Sequence, residues 1–182
     1  MKFEVQESDL LTADQHFYHR GILKHEKHNR PFKDVDEMNE HLIEVWNSIV
    51  GKRDRIICLG DLVWGKNLGI ISRLNGEIIL LRGNHDNMHE DKYIRAGITR
   101  VLPGPVKSRA HKIVLSHEPL VQPVSYPHCL NIHGHTHSYG GRLTGPMDIS
   151  IMHYSVSVEM HDFKPITLRD ILKETGHKVD KK

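Results

Sequence analysis

The chain has 182 residues, 38% hydrophobic and 26% charged, with a formal net charge of +2. That size and balance suit one globular domain over residues 1–182 that buries its own core, and near-neutrality gives little support for a broad nucleic-acid footprint. Two cysteines, polar residues at 1–10 and no bilayer-length apolar run exclude a disulfide framework, a secretory leader and a membrane partner, so a cytoplasmic protein is expected.

Leu10-Leu11-Thr12-Ala13 predicts a short buried strand that ends at Asp14. Residues 16–32 are polar, aromatic and basic and read as an irregular surface segment. Lys24, Lys27, Arg30 and Lys33 there form either a local nucleic-acid patch or a solvated face. Asp34 is placed to cap a helix, with Glu37 at the capping-box position three residues on. Met38, Leu42, Val45, Trp46 and Ile49 then repeat at helical spacing as far as Gly51, which makes Met38 and Trp46 core residues. Strands follow at 55–59 and 77–81, stopped by Gly60-Asp61 and Gly83-Asn84, with short helices at 67–74 and 89–96.

Residues 100–102, 112–115 and 130–132 read as further short strands, the last two leading into Ser116-His117 and Gly134-His135. A Gly-rich loop at 138–150, a strand at 154–158, a closing helix at 167–173 and a frayed tail at 176–182 complete the chain. Alternation of strand and helix predicts a parallel α/β first half; the strand-rich second half predicts an added, more antiparallel sheet.

Five blocks carry the chemistry: Asp14-Gln15-His16, Gly60-Asp61, Gly83-Asn84-His85-Asp86, Ser116-His117 and Gly134-His135-Thr136-His137. Each follows an apolar run, and in α/β sheets sites gather outside the carboxyl ends of strands. A spacing of two at a strand terminus sends Asp14 and His16 to one face. Glycines at 60, 83 and 134 permit sharp turns and close approach. Carboxylate and amide oxygens combined with several imidazoles suit two divalent transition-metal ions better than a dedicated calcium or magnesium site. Manganese, iron, zinc, nickel and cobalt all suit such donors, and the residues alone do not choose among them.

In this order the blocks resemble the calcineurin-like metallophosphoesterase superfamily. Arg30-Pro31-Phe32, the helix from Met38 to Asn47, Leu74-Asn75-Gly76 and Val156-Ser157-Val158-Glu159 resemble its small single-domain branch in bacteria and phages. The resemblance covers roughly residues 10–170. It implies an α/β sandwich of two facing mixed β-sheets flanked by helices. It also implies one metal on Asp14, His16 and His137, a second on Asn84, His117 and His135, and Asp61 bridging both. A bridging hydroxide would attack phosphorus in line, His85 would contact the phosphate and protonate the departing oxygen, and Asp86 would orient His85. The implied substrate is a phosphodiester or phosphomonoester, such as a nucleotide or cyclic nucleotide, with nucleic acid as an alternative.

Arg20, Arg82 and Arg142 are weaker candidates for substrate contact, Arg142 foremost because it lies just after His137. His19, His25, His28, His41, His89, His111, His153, His161 and His177 read as solvent-facing or satisfied. His128 and His133 are not assigned. Glu118 stands where the branch often has an aromatic residue, and Ser155 where it often has Asn. The full ligand set argues against a non-catalytic scaffold.

Overall fold

The computed structural model describes residues 3–120, 129–139 and 152–178. Arg142, His128, most of the expected Gly-rich loop and tail residues 179–182 lie outside the described residues. Two mixed β-sheets face one another and are flanked by helices, the α/β sandwich expected from the sequence.

The first sheet contains β1 (Leu10–Thr12), β2 (Arg55–Cys58), β3 (Glu77–Leu81), β4 (Arg100–Leu102) and β9 (Ile166–Thr167), in the order β4-β3-β2-β1-β9. The first four are mutually parallel, and β9 closes one edge antiparallel to β1. Alternate residues explain why these strands read as unbroken apolar runs. Leu10, Ile56, Cys58, Ile78 and Leu80 face one core; Leu11, Ile57, Leu59, Ile79 and Leu81 face another. A sheet covered on both sides needs apolar residues on both.

On the outer face lie α2 (Val35–Ile49), a 3-10 turn over Leu68–Arg73 and α3 (Glu90–Ala96). Helix α2 begins as its sequence requires: Asp34 accepts from the backbone N–H groups of Asp36 and Glu37. The reciprocal bond differs by one residue from a capping box, since Glu37 Oε2 accepts from Lys33 N at 2.7 Å. Met38, Leu42 and Trp46 are buried as expected, and Trp46 Nε1 donates to the Asn75 carbonyl at 2.9 Å.

The second sheet has the order β5-β6-β7-β8, from β5 (Val106–Ser108), β6 (Ile113–Leu115), β7 (Leu130–His133) and β8 (Met152–Ser155). Its inner face, with Ile113, Leu115, Leu130 and Ile132, packs on the first sheet, and α4 (Leu168–Thr175) adds Leu168, Ile171 and Leu172. The expectation of a more antiparallel sheet is corrected: β6, β7 and β8 are parallel, and only β5 runs opposite. The final strand also ends earlier than expected, because residues from Val156 onward leave β8 to join the first sheet. Ala13 N donates to Val156 O, and Val158 N to Ala13 O. Gly176 caps α4 and His177 Nε2 lies 3.1 Å from the His111 carbonyl, so the tail is held that far.

The segment 16–32 is only in part the expected surface stretch: Arg20, Lys24, His25, Lys27 and His28 are exposed, but others turn inward. It contains the short helix α1 (Ile22–His25), and Phe17, Ile22, Glu26 and Arg30 are buried. Burial of Arg30 removes it from any solvated or nucleic-acid-facing patch; its partners belong to the site.

Candidate metal centre

The five blocks leave β1, β2, β3, β6 and β7 at their carboxyl ends. Because these strands are parallel within each sheet, their ends lie along one edge, which sets Asp14 and His16, Asp61, Asn84 and His85, His117, and His135 and His137 around a common space. The loops are tied pairwise: Asp14 N donates to Gly60 O, His16 N to Asp61 O and Gly134 N to His117 O. Across the sheets, Asp14 Oδ2 accepts from His135 N at 2.9 Å and from Ser157 Oγ at 2.7 Å.

Backbone conformation brings the side chains inward. Asp14 (φ 63°), His16 (φ 52°), Asp61 (φ 54°), His135 (φ 68°) and His137 (φ 47°) all adopt the left-handed region. Strand alternation is therefore not what brings Asp14 and His16 together; single left-handed residues in a tight turn do. Gly60 is also left-handed (φ 97°), and a Cβ there would press on Gly83 N at 2.7 Å and on the His117 ring.

Two groups result, each with ligand atoms within 4.8 Å of one another: Asp14, His16 and His137; and Asp61, His117 and His135. The pairs separated by two residues behave differently, since His135 and His137 serve opposite groups. Asn84 Oδ1 joins the second group, 2.8 Å from His117 Nε2 and 3.2 Å from His135 Nδ1. Asp61 Oδ2 stands between the groups, 3.5 Å from His16 Nε2 and 3.5 Å from His117 Nε2.

The donor set fits metal ions on independent grounds. His16 Nε2 and Asp14 Oδ1 are buried with no hydrogen-bond partner, an arrangement that costs free energy unless something else satisfies it. Outer contacts orient the rings and aim one nitrogen of each inward. His117 Nδ1 lies 2.8 Å from the Leu59 carbonyl, His137 Nδ1 2.9 Å from Glu159 Oε1, and His16 Nδ1 3.2 Å from His19 Nδ1.

Burial holds Asp14 up to about pKa 6, against the opposing pull of His137 and His117 and the Ser157 hydrogen bond. Burial pushes His16 strongly down, aided by the positive potential of His137 and Arg30. His19 falls to about 4 and His135 also falls, again mainly through burial. Neutral imidazoles are the form that binds metal. For His137, burial opposes the charged form but the Glu159 hydrogen bond and the Asp14 and Glu159 charges outweigh it, so its pKa rises.

Arg30 and Glu159 form the supporting layer that the sequence pattern does not reveal. Arg30 Nη2 lies 2.6 Å from Glu159 Oε1, both side chains are fully buried, and the guanidinium also donates to the carbonyls of Asp14 and Gln15. One ion pair thus holds the Asp14 loop and the His137 ring together. The branch motifs containing Arg30 and Glu159 are the only sequence trace of it.

His85 sits at the opening, its side chain 36% exposed and its Nε2 3.8 Å from Asp61 Oδ2. Asp86 does not orient it. The Asp86 carboxylate points inward and accepts from Asp61 N at 2.7 Å and Gly83 N at 2.9 Å, so it fixes the two loops. Arg82 is likewise committed to structure, donating to the carbonyls of Asp86 and Met88. His19, expected to be solvent-facing or satisfied, is half-buried with its Nδ1 3.2 Å from His16 Nδ1, and His133 is fully buried. Trp64, not singled out by the sequence, lies beside His85 with ring centroids 4.5 Å apart.

No protein-family model matches the chain. In structure it is similar to a protein of unknown function, AQ665, from Aquifex aeolicus, with a TM-score of 0.70 and 24% identity over 91% of this chain and 98% of that one; this likeness concerns the fold. It is 33% identical to the Gene 66 protein of Mycobacterium phage L5 over 57% of this chain, and spans 44% of the phage protein's length. It is 34% identical to the uncharacterized protein MJ1445 of Methanocaldococcus jannaschii, over 90% of this chain and 88% of the archaeal one. At that identity and coverage, the chain belongs to the same family as the archaeal protein.

Proposed function

We propose that this protein is a dinuclear-metal phosphoesterase of the calcineurin-like metallophosphoesterase superfamily, acting on phosphodiester bonds and, as a secondary activity, on phosphomonoesters. The observation that carries this reading is the position of Asp61 Oδ2, 3.5 Å from a nitrogen of each of the two ligand groups. Asp14, His16 and His137 would hold one ion, and Asn84, His117 and His135 the other, with manganese favoured. Such ions supply Lewis acidity, neutralising phosphoryl charge and acidifying water.

The remaining roles fall to the chain's own groups. His85, exposed at the opening, binds a phosphoryl oxygen and delivers a proton to the leaving oxygen. Asp86 and the Arg30–Glu159 pair keep the ligand loops rigid, so that orientation is prepaid before substrate arrives. Arg142 remains a proposed substrate contact outside the described residues. Phosphate esters of nucleotides, cyclic ones included, are the favoured substrates. Cys58 and Cys129 are free and buried, which supports a reducing, cytoplasmic setting, and no helix among the described residues is long and apolar enough to cross a membrane.

The test is hydrolysis of bis-p-nitrophenyl phosphate with manganese. Asp61→Asn and His117→Ala should each lower turnover on the order of a hundredfold or more while circular dichroism stays unchanged. Folded variants that hydrolyse at the wild-type rate, together with indifference to chelation, would refute the reading.

A further inference from the structure

The hydrolytic reading leaves Trp64 without a part. Trp64 N donates to Phe17 O at 2.9 Å beside the Phe17–Val63 bridge, so the loop that carries it is fastened to the loop that carries His16. Its neighbours Phe17 and Val63 are buried, yet Trp64 is 38% exposed. The His19 ring lies on the indole with centroids 3.7 Å apart and planes within 2°. The His85 ring is 4.5 Å away, and that of the ligand candidate His16 is 6.4 Å away. A single exposed apolar residue is ordinary on a protein surface. A flat ring immobilised by stacking, at the lip of a phosphate-handling site and touching its exposed histidine, calls for a ligand.

We propose that Trp64 is a stacking platform that selects phosphate esters bearing a nucleobase. The inference rests on the phosphoesterase reading and assigns a residue to its preference for nucleotides. In a nucleotide the phosphate and the base are separated by one sugar. A phosphate engaged by His85, whose ring lies 4.5 Å from the indole, puts the base within one sugar's reach of the indole, on the side that His19 does not cover. Every base has a π face, so such a platform tolerates sequence and favours the larger purines. A near-neutral chain with Arg30 buried offers little for a long polyanion, so mononucleotides and cyclic nucleotides fit better than extended nucleic acid.

The experiment compares AMP with ribose 5-phosphate, which lacks only the base, on manganese-loaded protein by calorimetry and tryptophan fluorescence. The other tryptophan, Trp46, is buried against Asn75, so quenching by a base reports on Trp64. AMP is expected to bind roughly tenfold more tightly than ribose 5-phosphate and to quench emission. Trp64→Ala should reduce AMP to the affinity of ribose 5-phosphate while leaving the latter unchanged, and Trp64→Phe should restore most of the difference. Equal affinities, absent quenching, or a Trp64→Ala effect on both ligands alike would overturn the proposal. The wild-type comparison stands even where a variant folds poorly. Quenching without diester hydrolysis would instead count against the phosphoesterase reading, and hydrolysis indifferent to the base against the platform alone.

Discussion

A left-handed backbone at a residue with a side chain costs of order 1–3 kcal/mol, and Asp14, His16, Asp61, His135 and His137 all carry that cost. Strain concentrated at one edge of the sheets is explained if those side chains must converge on ions. The charge on Asp14 adds to the expense. An unfolded aspartate titrates near 3.8 and here burial raises it to about 6. The folded chain therefore binds the proton more tightly, stability falls as pH rises between those values, and the full penalty stands above pH 6. Metal-free Asp14→Asn protein should accordingly be more stable than metal-free wild type at pH 8, by up to about 3 kcal/mol. Paired denaturation series should show the gap closing between pH 6 and pH 4; a gap independent of pH would contradict the assignment. Glu159→Gln would leave Arg30 buried and unpaired, costing about 3–5 kcal/mol, and should weaken the first metal roughly 10- to 100-fold, read as loss of thermal stability and of about one bound ion. The ligand blocks were legible because short polar motifs interrupt apolar runs. Arg30 and Glu159 lie 129 positions apart, and nothing local marks either as buried.

At the scale of elements, direction matters more than strand count. His117 and His135 share an edge because β6 and β7 are parallel; the more antiparallel sheet expected from sequence would send their strand ends to opposite sides. Strand-rich spacing misleads here because it does not encode how far a connection crosses over. Strands β2 and β3 and helix α2 are plain in the hydrophobic pattern, while β5 and β9 have no buried residue and so leave no apolar run. They form only because β6 and β1 offer free edges to pair with. The α2 cap, by contrast, is a local device visible in sequence. Asp34→Ala should remove two backbone hydrogen bonds and cost about 1 kcal/mol, lowering the melting temperature by a few degrees with turnover unchanged. An equal loss of activity would mean that α2 is coupled to the site in a way its position does not explain.

For the whole molecule, the candidate ligands divide by sheet. Asp14, His16, Asp61 and Asn84 follow strands of the first sheet; His117, His135 and His137 follow strands of the second. Bound ions would therefore reinforce an edge where the two layers already meet through the 156–158 segment and through the Asp14–His135 and His117–Leu59 contacts. Loading at a hundred times the dissociation constant should add about 2.7 kcal/mol, several degrees in melting temperature, reversed by chelation. Whether Asp61 bridges two ions is read by anomalous scattering from crystals of the manganese-loaded protein. Two peaks are expected about 3.5–4 Å apart, one on each side of Asp61 Oδ2. A single peak, or two peaks that do not share Asp61, would contradict the bridging role.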